Sequence, residues 1–143
     1  MKIGDILRHK GHAVVTIRET RTVLEAIGML VEHNIGALVV TDREQPTGIF
    51  TERDVLRLTA RIPEALASLL VGAVMTREPI TASPGDELGT VMDVMTERRI
   101  RHLPVVERDE LVGIVSIGDL LNACRYVAEE ENSHLRQYIQ GAV

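Results

Sequence analysis

The chain carries its own sequence twice. Sliding the 143 residues against themselves aligns residues 15–57 with 80–122 at a constant offset of 65, without a gap, and ten of these 43 positions are identical. The matches are Thr16/Thr81, Glu32/Glu97, Ile35/Ile100, Leu38/Leu103, Val40/Val105, Arg43/Arg108, Gly48/Gly113, Ile49/Ile114, Asp54/Asp119 and Leu56/Leu121. A shorter echo joins Ile3-Gly-Asp-Ile-Leu-Arg to Val71-Gly-Ala-Val-Met-Thr at an offset of 68. Whatever one copy forms, the other must form. A unit of about 60 residues is marginal alone, so the two copies should pack together, related by a pseudo-twofold axis that leaves two related clefts.

Each copy reads as the same run of elements. A short apolar strand at 14–17, matched at 79–82, leads into a turn-rich stretch. A helix follows: Val23, Ala26, Ile27, Leu30 and Val31 recur at helical spacing, as do Leu88, Val91, Met92 and Met95, with Ser83-Pro-Gly-Asp as an N-terminal signal. Two Val/Ile/Leu-rich runs come next, 37–40 with 48–50 and 103–106 with 111–115, joined by short polar connectors that predict hairpins. A second helix begins at Thr51 or Ser116. The predicted class is therefore α/β (α+β), with tandem β-α-β-β-α repeats at 1–62 and 63–128. Residues 63–71 are expected to form a helical connector opened by Pro63. A final helix from 117 to about 139 would extend past its repeat as a C-terminal extension at 129–143, its far end meeting the amino-terminal segment or a second subunit, the alternative being a frayed, solvated tail after Glu131.

Composition narrows the function. The chain is 45% hydrophobic and 26% charged, which suits a globular core and not a disordered chain. A net charge of −5 and only three aromatic residues, Phe50, Tyr126 and Tyr138, argue against nucleic acid, whose binding is driven by basic patches and stacking platforms. Cys124 is the only cysteine, so no intramolecular disulfide can form, and a reducing cytoplasm is the expected home. The start lacks a signal-like apolar run and nowhere do 18 apolar residues run together, so no membrane insertion is expected.

The sharpest local signal is Gly48-Ile-Phe-Thr51-Glu-Arg-Asp54, repeated as Gly113-Ile-Val-Ser116-Ile-Gly-Asp119. A strand delivers a hydroxyl to a helix start, and an aspartate follows one turn later. One reading is a helix cap, since Ser/Thr-x-x-acid satisfies amide groups at a helix start. The other is a ligand site: helix-start amides suit a phosphate, and a carboxylate can accept hydrogen bonds from both hydroxyls of a ribose. The two readings are compatible.

The doubled β-α-β-β-α pattern, its closing Gly-h-h-[Ser/Thr]-x-x-Asp (h, apolar), and the stretches Asn34-Ile-Gly-Ala-Leu-Val-Val and Arg99-Ile-Arg-His-Leu-Pro-Val-Val resemble tandem cystathionine β-synthase (CBS) domains, the pair called a Bateman module. The resemblance spans about residues 3–125. It implies adenosyl ligands, AMP, ADP, ATP, NAD or S-adenosylmethionine, in the clefts between repeats. By position, it makes Asp54 and Asp119 ribose acceptors, puts Thr51 and Ser116 on ribose or phosphate, and sets Thr16 and Thr81 with Val15 and Ile80 beside the adenine. Arg101 and His102 would meet phosphate; their counterparts Gly36 and Ala37 carry no charge, so the clefts should differ. Arg53, where the second copy has Gly118, is a further phosphate candidate whose plain alternative is a surface arginine. The resemblance also implies a homodimer through helical edges, with an unidentified effector protein reading the ligand state.

Enzyme signals are absent from the sequence: there is no phosphate loop, no Gly-x-Ser-x-Gly and no dinucleotide fingerprint. His9-Lys-Gly-His12 lacks further metal ligands, its histidines are expected to be solvated, and Cys124 sits on an apolar stripe. The expectation is a regulatory sensor. Its rivals are an interaction module with no ligand and a small nucleotide-processing enzyme.

Overall fold

The computed structural model describes residues 1–141. The first repeat comprises α1 (Ile3–Lys10), β1 (Thr16–Arg18), α2 (Val23–His33), β2 (Ala37–Asp42), β3 (Gln45–Thr51) and α3 (Glu52–Arg61). The second comprises α4 (Val71–Val74), β4 (Thr76–Arg77), α5 (Leu88–Arg98), β5 (His102–Glu107), β6 (Glu110–Ser116) and α6 (Ile117–Gly141). The mixed α/β architecture and the duplicated order agree with the sequence reading.

The two hairpins are copies in detail. β2 pairs with β3 in the register Ala37↔Thr51 to Asp42↔Gln45, and β5 with β6 in the register His102↔Ser116 to Glu107↔Glu110, each with one irregularity at the matching place. Both turns place two residues at positive φ, Arg43 and Glu44 in the first and Arg108 and Asp109 in the second. α2 and α5 each end on a left-handed residue, Asn34 and Arg99.

The copies diverge at the first strand. β1 runs parallel to β2, but in the second repeat the expected strand at 79–82 shrinks to one bridge, Ala82↔Val105. Two prolines explain the difference. In the first repeat the ladder is extended by Glu19 N–H to the Thr41 carbonyl and Val39 N–H to the Val15 carbonyl. At the corresponding places stand Pro84 and Pro104, which have no N–H to donate.

Two other local expectations need correction. The connector at 63–71 is not a helix but one 3₁₀ turn, Pro63–Ala65, followed by turns. The carbonyls of Leu66 and Leu69 accept from the amides of Leu24 and Val23, so they serve the free donors at the start of α2 instead of continuing a helix. Ser83-Pro-Gly-Asp does not cap α5 directly. Asp86 accepts from the Ser83 amide in a turn just before Leu88, and α5 has no side-chain cap, whereas Thr22 caps α2 by accepting from Glu25 N–H.

The leading segments are exchanged between repeats. Ile3, Ile6 and Leu7 of α1 lie in one core with Leu88, Val91, Met95, Leu103, Val105, Val115 and Leu120 of the second repeat. Val71 and Met75 join Ile17, Val23, Leu30, Leu38, Val40 and Phe50 of the first. Matched hydrogen bonds seat both segments: Ile3 and Gly4 amides donate to Asp86 and Pro84 carbonyls, while Val71 and Gly72 amides donate to Arg21 and Glu19 carbonyls. Burying a side chain such as Leu7, fully enclosed, contributes about 1.5–3 kcal/mol. Each repeat thus completes the other's core.

α6 is 25 residues long, about 37 Å at 1.5 Å per residue. Met1 approaches it at Cys124, Val127, Ala128 and Glu131 around a small hollow, which places the amino terminus against its middle. From Ala128 to Gly141 every residue is exposed, Leu135, Tyr138 and Ile139 among them. Cys124 is half-buried with its thiol on Met92 Sδ at 3.1 Å, which fits the apolar-stripe reading. Among the described residues no helix is long and apolar enough to cross a membrane.

Candidate functional site

Both closing motifs form the same cap. In the first, Asp54 Oδ2 accepts from Thr51 N–H at 2.9 Å and from the Thr51 hydroxyl at 3.2 Å. In the second, Asp119 Oδ2 accepts from Ser116 N–H at 2.8 Å, and the Ser116 hydroxyl oxygen accepts from Asp119 N–H at 3.2 Å. Oδ1 of each carboxylate makes no hydrogen bond among the described residues. The cap therefore holds each aspartate in place while leaving one oxygen for another donor.

The helices that carry these caps start beside the seam between repeats. Glu52 N–H donates to the Gly36 carbonyl at the foot of β2, and Ile117 N–H to the Arg101 carbonyl just ahead of β5. A Cβ at Gly36 would lie 3.1 Å from the His102 ring and 3.2 Å from Glu52 Oε1. The imidazole of the second repeat thus crowds the first repeat's strand start, where a side chain would have to push His102 or Glu52 aside. His102 is half-buried, and burial pushes its pKa below the ordinary value of 6.5, helped by Lys10 and Arg101 and opposed by Glu52 and Asp119.

Lys10 was not foreseen. From the last turn of α1 its Nζ donates to Asp119 Oδ2 at 2.6 Å and to the Ile114 carbonyl at 2.7 Å. Burial works against the charged form of Asp119, but hydrogen bonds from Lys10 and Ser116 more than offset it and hold the carboxyl below the usual carboxylate value. His12 Nδ1 lies 2.9 Å from the Val112 carbonyl while the residue stays exposed, as the solvated reading expects. Lys10 and His12 thus satisfy carbonyls along β6, where the first repeat uses backbone pairing of β4 with β3. The counterpart of Lys10 under the offset of 68 is Glu78, of opposite charge.

The structure brings Ser116, Asp119, Arg101 and His102 together with Lys10, Gly36 and Glu52. Ala37 is buried in β2 opposite Thr51, and Val15 packs half-buried on the first core. Arg53, Ile80 and Thr81 are exposed. Thr16 lies elsewhere: it lines a cleft of about 1390 Å³ with Arg18, Arg21, Asp42, Arg43 and, from the second repeat's hairpin, Asp109 and Glu110. Neither this cleft nor the hollow at Met1 is lined by Asp54 or Asp119.

A doubled β-α-β-β-α body with exchanged leading segments and paired Ser/Thr-x-x-Asp helix starts defines a class of tandem-repeat α/β modules. The CBS domain family model matches residues 3–61 and 71–126, and the chain belongs to that family. It is 36% identical over 97% of its length to the mitochondrial CBS domain-containing protein CBSX3 of Arabidopsis thaliana, of which it spans 72%. Among solved structures it resembles the CBS-domain containing protein ATU1752 from Agrobacterium tumefaciens, at 39% identity and a TM-score of 0.83 over 86% of this chain and 98% of that one. The CBS domain pair of protein MJ0100, solved in complex with 5′-methylthioadenosine and S-adenosyl-L-methionine, is 27% identical with a TM-score of 0.76 over 86% and 94%.

Proposed function

We propose that the chain is a regulatory module, not an enzyme, that binds an adenosyl ligand, AMP, ADP, ATP or NAD, where the repeats meet. Residues 1–62 and 63–128 are its two repeats and 129–143 an appended extension. The observation that carries this reading is the doubled cap, which presents one carboxylate oxygen of Asp54 and of Asp119 at a helix start. Those oxygens suit a ribose diol, Thr51 and Ser116 flank them, and Arg101 and His102 supply positive potential for phosphate. Val15, Ile80 and Thr81 border the adenine in the same reading, without Thr16, which lines the other cleft, and Arg53 is available to the first site's phosphate. The adenosyl compounds in the MJ0100 complex support the ligand class.

The ligand would act by differential affinity, favouring one relative orientation of the repeats within a cytoplasmic homodimer whose state an effector protein reads. Calorimetric titration with AMP, ATP and NAD tests this. Asp119→Ala should abolish or sharply weaken binding at the second site, and Asp54→Ala at the first. Unchanged binding in both variants removes the ribose role. The caps themselves favour a second reading, an interaction module without ligand: both aspartates already have structural partners. That reading gives no thermal shift with any adenosyl compound and only stability losses of about 1 kcal/mol from the same substitutions.

A further inference from the structure

We propose that Lys10 sets the ligand class of the second cleft: its ammonium guards Asp119 and yields that carboxylate to adenosyl compounds carrying a phosphate in preference to those without one. This rests on Asp119 being a ribose acceptor. The Lys10 side chain is 32% exposed and that of Asp119 24%, so their ion pair is only partly screened from water. Lys10 sits on Oδ2, so a ribose diol that takes both carboxylate oxygens must displace the ammonium from a charge-assisted hydrogen bond. A nucleoside offers Asp119 hydroxyls and offers Lys10 nothing. A nucleotide offers both, because its phosphate takes over the ammonium as a point-charge contact.

The surroundings agree. Lys10 reaches Asp119 directly, and Lys10 and Arg101 both disfavour a charged His102 ring nearby. The first repeat has no such guard. Glu78, the positional counterpart of Lys10, is exposed, sits at positive φ and donates its N–H to the Thr47 carbonyl. Asp54 Oδ2 accepts only from Thr51 among the described residues. Lys10 thus adds to the charge contrast already set by Arg101 and His102 against Gly36 and Ala37, and only the second carboxylate has an ammonium seated on it.

The test compares AMP with adenosine by calorimetry in an Asp54→Ala background, which silences the first cleft. The parent protein should prefer AMP by about tenfold or more, the size of one charge-assisted contact. Lys10→Met keeps the apolar stem and removes the charge; it should bring the two affinities within about threefold, with adenosine bound no more weakly than before. Lys10→Arg should keep the preference. A Lys10 that only satisfies the Ile114 carbonyl would, on substitution, weaken both ligands alike, and an unchanged AMP-to-adenosine ratio in Lys10→Met overturns the proposal. Failure of the wild-type protein to bind either compound is a different result, visible before any variant is made, and it removes the ribose reading together with this one.

Discussion

Replacing Gly48 by alanine should cost the fold far more than the same change at its counterpart Gly113, because the exchanged leading segments press on the two glycines differently. A Cβ at Gly48 would stand 2.6 Å from the Thr76 carbonyl oxygen and 2.6 Å from Met75 Sδ, well inside the 3.4 Å at which ordinary contact begins. The Thr76 oxygen is backbone, in the strand that pairs Gly48↔Arg77 and Ile49↔Thr76, so the clash can be relieved only by pushing β4 off β3. At Gly113 the nearest atoms are the methyl ends of Leu7, at 2.6 and 2.9 Å, and a rotamer change relieves much of the overlap. Overpacking costs about 1–3 kcal/mol, and losing the two-residue ladder adds about 1 kcal/mol per hydrogen bond. The entropy that alanine removes from the unfolded chain offsets about 0.4–1 kcal/mol at either site. The net expectation is about 3 kcal/mol for Gly48→Ala and about 1 kcal/mol for Gly113→Ala. Urea unfolding resolves that difference as a midpoint shift of about 1 M or more at the slopes typical of small domains. Equal losses, or a larger loss at Gly113, would refute the account of how α4 and β4 seat on the first sheet.

Two further outcomes follow from single residues. His102 has a depressed pKa when folded, so the unfolded chain takes up its proton first; its contribution to stability is complete above pH 6.5 and is lost as pH falls toward the folded value. Denaturation measured across that range should therefore show a shallower acid-side decline in His102→Gln than in wild type, and parallel curves would contradict the burial assigned to the ring. Thr22→Ala should cost about 1 kcal/mol through loss of the α2 cap, whereas Glu87→Ala, at the same position before α5, should change stability by only a few tenths, since no side-chain cap exists there.

The duplicated order of elements was legible because it was encoded twice. Identities along the offset of 65 include positions the fold needs, such as Leu38/Leu103 inside the sheets and Asp54/Asp119 at the caps, beside exposed ones such as Leu56/Leu121. What escaped was set by tertiary partners. The connector at 63–71 gave up helical bonds to cap α2. The second repeat's first strand is cut short by Pro84 and Pro104 acting together, though neither alone marks a missing ladder. The exchange of α1 and α4 cannot be read from apolar spacing, which shows a face to be buried without naming the surface that buries it. At the site, Arg101 and His102 were picked out by their charge beside Gly36-Ala37. Lys10 lies 109 residues from its partner Asp119, and no local pattern links them.

The crossed leading helices also decide how this protein can come apart. Severed at the connector, each half would lose the helix that roofs it and expose the apolar floor beneath, so two fragments should regain structure only by finding one another. Cooperative melting is then a property of the braid and not of either strand in it.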